Sequence, residues 1–115
     1  MIDAEESWIQ NAIDSIVEAM MKTYNKEQAI IFNTIQMYRH DRLNYLKKIH
    51  KDSKENGYFI GVKVVRGAYL EKENERAKKL GYPTPIQPNK EACNKDYDSA
   101  LEYACDNIHG ISICA

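Results

Sequence analysis

The feature that most constrains this chain is a regular exchange of apolar runs and helical stretches. Residues 29–36 read Ala-Ile-Ile-Phe-Asn-Thr-Ile-Gln, and residues 58–65 read Tyr-Phe-Ile-Gly-Val-Lys-Val-Val. Both are rich in β-branched residues and almost continuously apolar, the pattern of strands covered on both faces. Residues 1–4 and 111–115 read as two further strands. Between these runs the period changes. Trp8, Ile9, Ile13, Ile16, Val17, Met20 and Met21 form a helical stripe that ends near Tyr24, with Trp8 expected in the core. Glu5, Glu6 and Ser7 suit its start, where acids complement the helix dipole. Asp41 is placed to cap a helix through Leu43, Leu46, Ile49 and His50, which ends at Asn56-Gly57. A polar helix over about 69–80 stops at Gly81. Residues 82–88 hold all three prolines and form a loop. A last helix runs from Lys90 or Glu91 to about Ile108, with Tyr97, Ala100, Leu101, Ala104 and Cys105 on one face.

Such an order implies a parallel sheet with right-handed crossovers. Asp3, Asn33 and Lys63 fall about thirty residues apart, the length of one βα unit. No glycine-rich phosphate loop follows any strand, which argues against a dinucleotide-binding Rossmann fold. The expected fold is α/β: a partial (β/α)8 TIM-type barrel of about four parallel strands with helices, one partial domain over residues 1–115. Four strands cannot close a barrel that needs eight. They leave two open edges and a partly uncovered face. A chain that opens in one strand and closes in another is expected to be a piece of something larger.

Composition excludes some partners. The formal net charge of −1 gives no argument for nucleic acid. No apolar run approaches a membrane span, and the first residues show no secretory signal. Cys93, Cys105 and Cys114 form no CxxC pair, so reduced thiols in an intracellular protein are expected. No His/Cys/Asp cluster has metal-ligand spacing.

The chemistry gathers at the strand exits. They carry Asp3 and Glu5; Asn33, Gln36 and Tyr38; Lys63, Arg66, Gly67, Ala68 and Tyr69; and Ser112. In α/β folds, ligands sit beyond the carboxyl ends of strands. Glu5, Tyr38 and Arg66, each taken singly, read more simply as surface or capping residues. Asp3, Gln36 and Lys63 lie within apolar runs, where burial without a partner is costly, and Asp3 and Lys63 are expected to satisfy each other in part. A lysine in a strand can also simply snorkel from an edge. His40 reads as a surface loop residue and His109 as a turn residue. His50 reads as a histidine at a helix C-terminus, favourable to the dipole. The run 71–79 reads as a solvated helix face.

These residues carry a resemblance. Ile2-Asp3-Ala4-Glu5-Glu6, the Gln36-Met37-Tyr38 exit and Lys63-Val64-Val65-Arg66-Gly67-Ala68-Tyr69-Leu70-Glu71 together resemble the proline dehydrogenase family, over essentially the whole chain. The resemblance implies a distorted (β/α)8 barrel with non-covalent FAD at the strand exits. It implies oxidation of L-proline to 1-pyrroline-5-carboxylate, with a membrane quinone as final electron acceptor. It implies a location in the bacterial cytoplasm or against the inner membrane, or in the mitochondrion of a eukaryote. By the same resemblance Asp3 and Lys63 are catalytic, and Ala4, Gln36, Lys63, Val65, Arg66 and Gly67 contact the cofactor. Gly67 and Ala68 keep the backbone low, and Ala68 and Tyr69 wall the proline ring. The family's adjacent arginine pair, which clamps the substrate carboxylate, is missing here. So are an earlier strand lysine and the segment that holds the FAD ribose and adenine. The chain is therefore expected to be the middle of a proline dehydrogenase, with little activity and no tight FAD binding alone. Two alternatives stand beside this: a barrel aldolase using Lys63 as a Schiff-base lysine with Asp3 as its acid, and a non-catalytic half barrel that self-associates through its edges as a homodimer or higher.

Overall fold

The computed structural model describes residues 2–114. Helix α1 spans Ser7–Tyr24. Strand β1 spans Phe32–Gln36 and leads to α2, Arg42–Asn56. Strand β2, Ile60–Val65, is followed by α3, Leu70–Leu80. After the proline loop come α4, Lys90–Asp106, and β3, Ile111–Cys114. The strands form one parallel sheet in the order β1-β2-β3. This is the architecture of part of a (β/α)8 barrel. The expected strand over 1–4 is reduced to a single parallel bridge, Ile2 to Asn33, and Met1 and Ala115 lie outside the described residues. Strands β1 and β2 start later than their apolar runs, since residues 29–31 and 58–59 serve as lead-ins.

The lead-ins are ordered by one side chain. Asn25, fully buried just after α1, donates from Nδ2 to the Ile31 and Phe59 carbonyls, both at 3.0 Å. Its Oδ1 accepts the N–H groups of Ile30 and Ile31 at 3.0 and 2.8 Å. Its own carbonyl accepts the Phe59 N–H at 2.8 Å. A residue that reads in sequence only as a helix stop therefore joins the entrances of β1 and β2.

Alternation along the strands separates two faces. Ile35, Ile60, Val62, Val64 and Ile111 point to the helix side, where they pack with Val17 and Met21 of α1, Leu46 and Ile49 of α2, and Ala100 and Ala104 of α4. Asn33 points the same way, not toward the exits as expected. Its Nδ2 donates to Asp14 Oδ1 at 2.9 Å, and Asp14 also accepts from Gln10 at 2.9 Å. Arg42 closes the group with an ion pair to Asp14 at 3.0 Å. All four residues are buried.

Three further expectations are corrected. Trp8 is 42% exposed; it lies outside the core with the Arg76 guanidinium 4.3 Å above its ring. Asp41 stands at the N-cap position of α2 but does not cap, because Arg39 draws its carboxylate into a pair at 2.8 Å. His50 is not engaged with a helix terminus. It is buried in mid-helix, its Nδ1 2.7 Å from the Tyr103 hydroxyl. Cys93 is buried, whereas Cys105 and Cys114 are exposed free thiols.

Two outcomes follow for the full-length protein. Asp14→Ala leaves the Arg42 guanidinium buried without its partner, and its denaturation midpoint should fall by an amount equivalent to about 3–5 kcal/mol. Burial, and next the charge of Lys54, hold the His50 pKa below its ordinary value. The unfolded chain then takes up a proton near pH ~6.5 that the folded chain refuses. Stability should drop as pH falls through that value, and His50→Gln should flatten the drop in unfolding curves measured across pH 5 to 8.

Candidate active site

The face opposite the helices carries the site. Register sets Thr34 beside Lys63 and Gln36 beside Val65, so all four side chains emerge on that face. Phe32 pairs with Gly61. A Cβ on Gly61 would stand 2.8 Å from the Phe32 ring, so the missing side chain lets that ring cover the lower part of the face. Above it opens a cleft of ≈ 500 Å³, within the usual ~300–1,000 Å³ for small-molecule sites. Thr34, Lys63 and Val65 contribute to its floor. Asp3, Ala4 and Glu5 line one side; Arg66, Gly67, Ala68 and Tyr69 line the other, with Gln36 between. Every residue singled out from the sequence as a catalytic, cofactor or substrate contact lines this one cleft.

Gln36 is buried, and its amide spans the two sides. Nε2 donates to the Glu5 carbonyl at 3.0 Å, and Oε1 accepts the Ala68 N–H at 3.1 Å. One amide hydrogen is left over for a ligand. The Tyr69 hydroxyl donates to Glu5 Oε2 at 3.3 Å, and the Glu5 charge raises the Tyr69 pKa above its ordinary value. Thr34 is a part of the cleft that the sequence reading left without a role, and Glu5, placed there among the strand exits, lines it too. The strand period places Thr34 two residues before Gln36, which was signal enough to find it.

Asp3 and Lys63 depart from expectation. Asp3 is exposed and Lys63 half-buried, and no ion pair joins them among the described residues. Both face open cleft, so neither needs the other for solvation. Arg66 turns away from the floor. Its Nε donates to Asn94 at 2.8 Å and its guanidinium lies 4.4 Å over the Tyr97 ring, both on α4. Ser112 is exposed on the same sheet face beside Gly61 but does not line the cleft. His40 and His109 are exposed and take no part.

Gly67 has a reason within the chain itself. Its φ is 152°, and a Cβ there would collide with the Tyr38 ring. Tyr38 packing beneath the corner therefore requires the glycine whatever lies above it. Tyr38 also donates its N–H to Arg66 O at 2.7 Å and accepts the Gln87 N–H at 2.6 Å. Its hydroxyl is buried without a partner among the described residues, and burial, then the charge of Glu73, push its pKa up to about 12.

The family model for proline dehydrogenase matches residues 1–115. The chain belongs to the proline dehydrogenase family. The mitochondrial proline dehydrogenase 1 of Caenorhabditis elegans is 43% identical over 109 residues, which is 95% of this chain and 18% of that protein. A hydroxyproline dehydrogenase of Xenopus laevis is 36% identical over 108 residues, 94% of this chain and 23% of that protein. The chain thus spans less than a quarter of either relative. Among solved structures, proline utilization A from Bdellovibrio bacteriovorus, inactivated by N-propargylglycine, superposes with a TM-score of 0.89 at 23% identity. That likeness covers 96% of this chain and 12% of the other, and it shows the fold. For this proline dehydrogenase segment, Gly67→Ala should destabilise through backbone strain of about 1–3 kcal/mol together with the Tyr38 clash. Adding Tyr38→Ala should recover only the clash part, which a double-mutant cycle on unfolding midpoints separates.

Proposed function

We propose that this chain forms part of the active site of an FAD-dependent dehydrogenase that oxidises L-proline to 1-pyrroline-5-carboxylate, with a quinone as final acceptor. The observation that carries the reading is the convergence of Asp3, Gln36, Lys63 and the Arg66–Tyr69 corner on one cleft at the strand exits. The residues suit a flavin. The floor is a sheet face carrying Thr34, Lys63 and Val65, Lys63 brings a positive charge with no ion-pair partner among the described residues, and Gln36 keeps a donor. A bound flavin supplies the hydride acceptor. Lys63 would offer a cation to the negative charge that reduction places on a bound flavin, electrostatic stabilisation in place before the reaction. A lysine does so as a point charge, without the planar fork of an arginine. Ala4 and Val65 offer apolar contact. Ala68 and the Tyr69 ring form a wall suited to a five-membered ring, and Asp3 is placed on the opposite side to meet its charged amine.

The whole reaction belongs to the full-length protein. This chain has no adjacent arginine pair to hold a substrate carboxylate, so positioning by this segment alone is incomplete. Expressed by itself, it is proposed to bind FAD poorly. It is also proposed to self-associate, since β3 is an edge strand and Ser112 and Cys114 leave its cleft-side face exposed. The name of the Caenorhabditis elegans relative suggests a mitochondrial setting if the source is eukaryotic. No helix among the described residues is long and apolar enough to cross a membrane. The aldolase reading would also use Lys63 and Asp3 in this cleft, but it leaves Gln36 and the Arg66–Tyr69 corner unexplained.

The full-length protein, loaded with FAD and freed of oxygen, should lose its oxidised flavin absorbance when L-proline is added. Lys63→Met and Asp3→Asn should each slow that bleaching by about 10²–10³-fold. Bound flavin that hydroxyproline bleaches and proline does not would keep the fold and change the substrate. Trapping of Lys63 by borohydride with a carbonyl compound, and no bleaching by either amino acid, would overturn the reading in favour of the aldolase.

A further inference from the structure

Residues 3–6 carry Asp3, Ala4 and Glu5, yet they belong to no strand or helix. Side chains from other elements hold this segment. The Glu5 N–H donates to Gln10 Oε1 at 2.8 Å, and the Glu5 carbonyl accepts from Gln36. At its far end, Glu73 of α3 takes both donors of Ser7: the backbone N–H at 3.0 Å on Oε2 and the hydroxyl at 2.7 Å on Oε1.

Glu73 is 0% exposed, in the first turns of a helix whose other residues, Ala77 apart, face solvent or are only partly covered. A buried carboxylate is costly unless it is well bonded, and no cation forms an ion pair with it among the described residues. Its position explains its retention. Helix α1 has Glu6 at its N-cap without a side-chain bond to the first turn, so the first N–H groups are short of an acceptor. Glu73 supplies that acceptor from a different helix, at the end of α1 where a negative charge is favoured. The bonds are charge-assisted. Helix α3 begins directly after the Arg66–Tyr69 corner, so Glu73 connects the two sides of the cleft. More exposed contacts run alongside: Lys72 to Glu6 at 3.1 Å and Tyr69 to Glu5 at 3.3 Å.

We infer that Glu73 is a positioning residue for the cleft: by capping α1 from α3, it sets the spacing between the Asp3–Glu5 side and the Ala68–Tyr69 side. What that spacing serves rests on the proline dehydrogenase reading above; the clasp itself does not. Glu73 touches neither substrate nor cofactor, and it acts through the segment it holds.

The test compares Glu73→Gln, Glu73→Ala and Ser7→Ala in the full-length, FAD-loaded protein. Hydrogen exchange resolved by peptide is read over residues 3–9 and over residues 32–36 and 60–65. Exchange over 3–9 should rise about tenfold in Glu73→Ala, the effect of losing a charge-assisted hydrogen bond. It should rise less in Ser7→Ala, which loses only the hydroxyl bond, and in Glu73→Gln, which keeps one acceptor oxygen. The strand peptides should not change. The KM for L-proline should rise in the same order, with kcat/KM falling by about 10–100-fold in Glu73→Ala. Ser7→Ala leaves α3 intact and decides the matter should Glu73→Ala fail to fold. Unchanged exchange over 3–9 in Ser7→Ala and Glu73→Gln overturns the inference. So does faster exchange spread equally through the strands, the mark of a general loss of stability. If proline bleaches no flavin in the unsubstituted protein, the functional reading fails, while the exchange data still decide the clasp.

Discussion

Thr34 stands beside Lys63, and Gln36 beside Val65, across the parallel ladder. A slip of β1 by one residue would send Gln36 into the helix layer and bring Ile35 out to the cleft, and the same slip of β2 would exchange Lys63 with Val64. What forbids the slip is the apolar packing on the other face, where Ile35, Val62 and Val64 meet α1, α2 and α4. The site is therefore positioned by residues that never touch it. The Asp14 group adds a polar constraint in the same layer, since Asn33 can reach Asp14, itself paired with Arg42, only in this register.

The two ends of the sheet are joined differently. At the entrances, Asn25 makes its bonds to backbone groups deep in the protein. At the exits, side chains bond across an open cleft: Gln36 between Glu5 and Ala68, Tyr69 to Glu5, Glu73 to Ser7. Of these, Glu5, Gln36, Ala68 and Tyr69 line the cleft a ligand would enter, whereas Ser7 and Glu73 do not. Proton donors and acceptors there must be shared between holding the walls and meeting a guest, and Gln36 does both with the hydrogen it has left.

Much of this was legible in sequence. The element order followed from the change of period between apolar runs, and α2 and α3 stop at Gly57 and Gly81 as expected. The cleft residues were found because polar groups at strand exits are rare in apolar runs and easily seen. What escaped has a common cause. Trp8 falls on the apolar stripe but at its margin, and Arg76, sixty-eight positions away, draws it outward. Glu73 looks like any other charge in a solvated run, because its partner Ser7 lies sixty-six positions away. The reason for Gly67 that lies within the chain depends on Tyr38 beneath it. Periodicity reports which way a side chain points; it does not report which distant residue will be there to receive it.

Asn25 carries a consequence for how the chain comes together. Its amide bonds reach residues 30 and 31 before β1 and residue 59 before β2. With only one of those strands in place, part of the amide would be enclosed without a partner, at a cost of about 1–3 kcal/mol. Intermediates holding one strand but not the other are penalised accordingly. The first helix with strands β1 and β2 should then form, and open, as one cooperative unit, with the last helix and β3 free to join it or fray from it separately.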